Sequence, residues 1–454
     1  MSKLLLTFYG DDFTGSTDAL EQLTLAGIRA ALFIKPPTPA QLKRFPGLQA
    51  VGVAGLARSL SAAAMEKELR PAFRKLKALG ARHVHYKVCS TFDSSPEVGS
   101  IGRAIDVGMK IFHPPFVPLL VAAPLLGRYC VFGNLFARFG IGSDGAIYRL
   151  DRHPSASRHP VTPMTESDLR LHLAKQTRKK IALFDILKIR LPRNETEIAF
   201  QQLLDEKPAV ILFDALAIWH LFRIGKLLER VASHKRPLFS VGSSGIEMAL
   251  AAIWKSKGRI PQAPDCEAGG LQRSSLRTKQ ILIGSGSCSP VTESQIAWAQ
   301  KHGFAGVALD AAALASHKES GMEIRRATET TAKLLQTGTS VIVHTTPGGS
   351  HGRLPAQLKG RTAPVLGTAL GNILRRALVQ KPVRRLCIAG GDTSSYAARA
   401  LGIEALEIIA PLTPGAPLCR AFAPGSPVDG CEIVFKGGQV GAEYYFETVR
   451  RGKI

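Results

Sequence analysis

The sequence predicts an α/β protein of two domains, each a mostly parallel sheet flanked by helices, with the active site in the cleft between them. Three observations carry this expectation. Short apolar runs alternate with amphipathic stretches, the pattern of repeated β-loop-α units. A stretch rich in Pro and Gly interrupts that pattern near residue 260. The chain has 454 residues, long for one core and comfortable for two.

Residues 4–9 read as a buried first strand. The polar loop Gly10-Asp11-Asp12-Phe13-Thr14-Gly15 follows it. A helix is expected over 16–26, with Ala19, Leu20, Leu23 and Ala26 on one face and Gly27 closing it. A strand over 30–34 completes a β-loop-α-β opening. Further strands are expected at 50–53, 83–88, 210–213 and 238–241. Ile260-Pro261-Gln262-Ala263-Pro264 and the pair Gly269-Gly270 read as a linker. The domains are therefore assigned to residues 1–260 and 278–454, joined by 261–277. The second unit reads as strand 280–283, helix 292–302, strand 306–309, helix 323–336 and strand 340–344. A strand over 385–389 then leads into a Gly-rich turn and a helix.

Bulk properties exclude several classes. The formal net charge is +24, but Lys and Arg are spread along the chain, and no zinc-finger, RNP-like or basic-zipper pattern occurs. Nucleic acid is not expected as a partner, and a basic surface suits anionic small molecules. Seven cysteines without a CxxC pair argue against a disulfide framework or a structural zinc site, and no metal-ligand set stands out. The apolar stretch 112–127 is broken by Pro114, Pro115, Pro118 and Pro124 and is too short to span a bilayer. The N-terminus reads as a buried strand, not a signal peptide. A cytoplasmic protein without a membrane partner is expected, and a homodimer is compatible.

Five loops carry the chemistry. Asp11 and Asp12 follow the first strand, where ligands of parallel sheets bind. One carboxylate accepting a substrate proton is the functional reading, and helix capping is the structural one; one of each is expected. The D-x-D-x-T frame of haloacid-dehalogenase phosphatases fails here, because Asp11 is followed two residues on by Phe13. Lys87, near a strand end, precedes Ser90, Thr91, Asp93 and Ser94, a set able to hold a carboxylate and polyol hydroxyls. Gly284-Ser285-Gly286-Ser287-Cys288-Ser289-Pro290 links strand to helix and offers N–H groups to phosphate, with Ser287 and Ser289 as contacts. It is neither a Walker A loop nor a full dinucleotide fingerprint. Gly390-Gly391-Asp392-Thr393 forms a second such cradle, or caps its helix. Gly437 and Gly438, after Lys436, close over a nucleotide or form a plain turn. Cys288 lacks a neighbouring His in sequence, so a thiol nucleophile is a minor reading.

Several ordered blocks together resemble the four-carbon acid sugar kinases. Tyr9 to Asp18 resembles that family's D-D-F-T-G-A-x-D signature, and Tyr86 to Ser94 its Y-K-x-C-S-T-F-D-S block. Residues 159–169 resemble its H-P-x-T-P-M-x-x-S-D-L block. Gly242-Ser243-Ser244-Gly245, Ser285 to Ser289 and Gly390 to Ser394 match shorter ones. The resemblance implies a sugar-acid domain, then an ATP domain, with Mg²⁺-assisted transfer to a terminal hydroxyl in the cleft between them. Asp12 or Asp11 is then the base, and Lys87 holds the carboxylate. Gly10 and Ser16 depart from the usual Ala, and Ser95-Pro96-Glu97-Val98-Gly99-Ser100-Ile101-Gly102 departs from the G-N-I-G of the 3-oxo-tetronate branch. These departures favour a branched substrate such as 3-oxo-isoapionate over 3-oxo-tetronate, threonate or erythronate. Two other readings stay open: a non-catalytic ligand-binding or effector protein, and a nicotinamide oxidoreductase using Asp310 as its acidic residue.

Overall fold

A computed structural model describes residues 4–139, 145–159, 161–258, 277–287, 289–345 and 362–452, apart from the side chain of Asp392. The linker read over 261–277 lies almost wholly outside the described residues, as do Pro160, Cys266 and Cys288. The chain divides into two compact units, Met1–Asp265 and Cys266–Ile454.

In the first unit eight strands form one parallel sheet. Their order is Ala30–Phe33, Ala50–Ala54, Leu6–Gly10, His83–Lys87, Leu238–Gly242, Val117–Leu120, Val210–Phe213 and Ile181–Phe184. The central strands are buried throughout, as near-continuous apolar runs require when helices cover both faces. Phe8, Tyr9, Phe73, Tyr86 and Phe239 pack at this level, with Tyr9 stacked on Tyr86 at 6.1 Å. A separate antiparallel sheet of Arg128–Val131, Asn134–Arg138 and Ile147–Arg149 branches off after Val117–Leu120.

The first helix begins earlier than its apolar periodicity suggests, at Phe13 rather than residue 16, and ends at Leu25. The cause is local: Asp12 caps it, so Phe13, Thr14 and Gly15 form its first turn instead of a loop. The apolar stretch at 112–127 resolves into the end of a helix, the strand Val117–Leu120 and a short 3-10 turn over Pro124–Leu126.

In the second unit five parallel strands run in the order Ala305–Ala308, Val341–His344, Ile281–Ser285, Arg385–Ala389 and Glu432–Lys436. An antiparallel pair, Ala416–Phe422 and Ala405–Thr413, extends the far edge. Arg385 is fully buried. It binds Glu432 through Nε and Nη2 (2.8 and 2.6 Å) and donates through Nη1 to the Val449 carbonyl, tying the last helix, Tyr445–Arg451, to the sheet.

Candidate active site

The first unit's site forms where parallel strands end in register. Gly10 is level with Ala54 and with Lys87, and Lys87 is level with Gly242. The Asp11 N–H donates to the Lys87 carbonyl at 2.9 Å, so the loops beyond these strands leave the same sheet edge. Such an edge is where open α/β sheets bind ligands.

The two adjacent aspartates have different environments. Asp12 caps the first helix. Its Oδ1 accepts from the Gly15 N–H, and its Oδ2 accepts from the Thr14 hydroxyl and pairs with Arg58, each at 2.8 Å. Asp11 is 1% exposed, and its Oδ1 has no hydrogen-bond partner. Burial, and next the charge of Asp12, push the Asp11 carboxyl up to about 8, against the pull of Arg58 and Lys87. The buried hydroxyl of Tyr86 is likewise unpartnered, and burial followed by Asp11 raises it well above the usual tyrosine value.

Lys87 is also buried. Its Nζ lies 3.4 Å from Asp18 Oδ2 and donates to the Val88 carbonyl at 3.0 Å. Burial opposes its charge, but Asp18, with Cys89 and Glu247, outweighs burial and raises its pKa. Asp18 thus stands as its counter-charge at contact distance, although burial raises the Asp18 carboxyl's own pKa. Gly15 keeps this corner open, since a Cβ there would meet Asp12 Oδ1 at 2.5 Å and Lys87 Nζ at 3.3 Å.

The loop after Lys87 divides its polar residues between the site and the fold. The Ser94 hydroxyl is committed internally, donating to the Phe92 carbonyl and meeting His172 Nε2 and Gln176 Nε2 within 3.0 Å. The Thr91 hydroxyl meets the Cys89 thiol at 3.0 Å, and Ser90 is buried. The charge of Asp93 acts through space on Asp11, Cys89, Arg128 and His172. Burial pushes the Cys89 thiol up to about 12, which removes it as a thiolate nucleophile. Residues 161–169 brace the small sheet: the Ser167 hydroxyl donates to Asn134 Oδ1, and Asp168 caps the helix Leu169–Ala174.

Sequence reasoning missed Arg58, which balances Asp12, and Arg128, which is buried beside this loop. A lone arginine carries no periodic signal. Asp18 was within reach, since it closes the first signature block.

In the second unit, three adjacent strands end in three loops that converge. The Gly286 N–H donates to the Ala389 carbonyl and the Gly390 N–H to the Lys436 carbonyl, both at 3.0 Å. The Thr393 hydroxyl reaches the Gly286 carbonyl at 3.3 Å. A Cβ on Gly286 would strike Thr393 at 2.4 Å, and one on Gly438 would come within 2.9 Å of both the Ser287 hydroxyl and Ser289 Cβ. Gly390, at φ 132°, holds a backbone conformation that favours glycine and leads into the helix Gly391–Ala400. Ser289 Oγ is buried and unpartnered. The structure thus brings together Ser287, Ser289, Gly390, Thr393 and Gly438, with Gly391 and Gly437 as their chain neighbours. The Asp392 side chain is outside the described residues. Lys436 ends a parallel strand instead of opening a hairpin turn. Its fully buried amine donates to Thr292 Oγ1 at 2.9 Å, and burial pulls it down to about 8. Asp310, weighed above as an acidic ligand of a nicotinamide cofactor, instead caps the helix Ala311–Ala315 through the N–H groups of Ala312 and Ala313.

Comparisons with known proteins agree with this division. A family model described as a sugar-binding N-terminal domain matches residues 6–250, and one described as a nucleotide-binding C-terminal domain matches residues 282–446. The 3-oxo-isoapionate kinase of Paraburkholderia graminis is 44% identical over 99% of this chain and 95% of its own. The 3-oxo-tetronate kinases of Methylobacterium radiotolerans and Salmonella typhimurium are each 29% identical, covering 98% and 97% of this chain and the same shares of their own. Among solved structures, one from Salmonella typhimurium LT2 superposes with a TM-score of 0.75 at 25% identity, covering 99% of each chain. Haemophilus influenzae protein HI1011 shares the fold, with a TM-score of 0.67 at 22% identity over 98% of this chain and 99% of its own. With both domain models matched in order, and a kinase 44% identical along nearly the whole length, the chain belongs to the four-carbon acid sugar kinase family.

Proposed function

We propose that this protein is an ATP-dependent kinase that phosphorylates the terminal hydroxyl of a small acid sugar, with 3-oxo-isoapionate the first substrate to test. The observation that carries the chemistry is Asp11, a buried carboxylate with an unpartnered oxygen at the carboxyl edge of the sugar-binding sheet. The identity with a 3-oxo-isoapionate kinase supports the choice of substrate. A 3-oxo-tetronate, threonate or erythronate comes next.

In the proposed reaction Asp11 accepts the proton of the acceptor hydroxyl. That oxygen bonds to the γ-phosphorus of ATP, the bond to the β–γ bridging oxygen breaks, and ADP leaves. Asp12 orients the first helix and Arg58. The nucleotide's phosphates lie on the loops carrying Ser287, Ser289, Gly390, Gly391, Asp392, Thr393, Gly437 and Gly438, whose helix N-termini favour anions. Buried Lys436 adds positive potential beneath them. Among the described residues no cluster of three or more His, Cys, Asp or Glu is built to hold a cation. The reading includes Mg²⁺ carried by the nucleotide's phosphates, where it would offset negative charge on the phosphoryl oxygens. Phosphoryl transfer is mostly positioning and charge stabilisation, so the reading requires the two loop sets to meet around the reacting atoms.

The test is coupled ADP release from ATP with a panel of 3-oxo and hydroxy acid sugars. Release that depends on one of these acids is expected. No release with any of them, together with no ATP binding by calorimetry, removes the kinase reading. Acid binding without ADP release makes the protein a binding module instead.

A further inference from the structure

We infer that Arg128, not Lys87, is the anchor for the carboxylate of the acid substrate, an inference that rests on the acid sugar reading above. An acid sugar brings a full negative charge into the sheet edge. A cation that receives it has to be buried beside the loops at that edge and not already spent on a protein carboxylate. Lys87 fails the second condition, because Asp18 lies 3.4 Å from its Nζ.

Arg128 meets both conditions. It is 5% exposed, and among the described residues it has no carboxylate partner and bonds only through Nη1. That nitrogen donates to the carbonyls of Leu126, Gly127 and Arg138 at 3.1, 3.3 and 3.0 Å, fixing the plane of the guanidinium. Nε is buried without a partner. The Nε–Nη2 edge therefore remains, and it is the edge that binds a carboxylate through two parallel hydrogen bonds. Burial without a counter-charge lowers the pKa of Arg128, the sign of a cation awaiting an anion.

The fold delivers this edge to the site. Arg128 follows the strand Val117–Leu120 and pairs back onto Ala123. That strand adjoins Leu238–Gly242, which adjoins His83–Lys87, the strand that opens into Ser90 and Asp93. Asp93 acts on Arg128 and Asp11 through space without bonding to the guanidinium. His153 stands beside Arg128, sharing the influence of the Arg138 carbonyl. Its Nδ1 accepts from the N–H groups of Ser155 and Ala156, both at 3.2 Å, which leaves the proton on Nε2, buried and unpartnered.

The experiment compares a substrate acid with its carboxamide in wild type, Arg128→Gln and Arg128→Lys. Wild type is expected to prefer the acid in kcat/KM by about 100-fold or more, as sites built around a paired charge do. Arg128→Gln is expected to lose about that factor on the acid, to lose little on the amide, and to keep its KM for ATP within about twofold. Arg128→Lys, which keeps the charge but not the fork, falls between them, and it carries the test if the Gln variant does not fold. An unchanged preference for the acid in either folded variant overturns the inference, as does an equal loss on acid and amide. Wild type turning over no acid sugar removes the kinase reading and this inference with it, whereas an active wild type with indifferent variants removes only the role of Arg128.

Discussion

At the scale of residues, the division of labour between Asp11 and Asp12 has consequences that pH resolves. A carboxyl held near 8 works as a base only once ionised, so kcat/KM is expected to rise with pH along an acid limb near that value. Asp11→Asn should lose turnover by about 100-fold or more. A limb that survives in this variant would assign it to another group. The same burial affects folding. With its pKa raised in the folded state, Asp11 contributes stability below its unfolded value near 3.8, and loses it as pH rises through about 8. Asp11→Asn should therefore gain in melting temperature relative to wild type as pH increases across that window. An advantage that shrinks with pH contradicts the assignment. Lys87 has the opposite character. Lys87→Met leaves Asp18 buried without its cation and is expected to cost about 3–5 kcal/mol in urea unfolding. A loss under about 1 kcal/mol would mean that Asp18 is not relying on it.

At the scale of elements, what sequence can reveal follows from what sets each feature. The Asp11-Asp12 loop was legible because a strand, a polar loop and a helix follow one another in sequence. The three nucleotide loops were legible one at a time for the same reason. That Gly438 comes to lie against Ser287 and Ser289 was not, because strand order places Arg385–Ala389 between Ile281–Ser285 and Glu432–Lys436, and periodicity carries no strand order. Ser94 looked like a substrate hydroxyl in a run of hydroxyls. Its role is set by His172 and Gln176, which lie on or next to a helix far along the chain. Arg128 gave no sign in sequence, because its significance lies in what it lacks. The convergence of loops predicts that Gly438→Val, by filling space beside Ser287 and Ser289, raises the KM for ATP by about tenfold or more and leaves the KM for the acid near its original value. An equal rise in both would mean that the substitution disturbs more than the cradle.

At the scale of the whole molecule, a net charge of +24 would meet the two anionic substrates of the proposed reaction. Surface fields of this kind are screened beyond roughly 8–10 Å at physiological salt. The KM values for ATP and acid are therefore expected to rise between about 10 mM and 150 mM ionic strength, while kcat changes less, because screening acts on encounter more than on buried contacts. KM values indifferent to salt would make the charge irrelevant to capture.

The order of the three adjacent strands in the second unit has one more consequence. The converging loops of the second unit carry Gly286, Ser287 and Ser289, then Gly390 and Thr393, then Gly438, so about 150 residues separate the first loop from the last. During synthesis on the ribosome, the sugar-binding sheet has all its strands by Gly242, long before the cradle has its third side. On the reading proposed above, the nascent chain acquires its acceptor site early and its donor site last. ATP, bound as that reading has it, would favour only the finished arrangement and so reward completing the fold.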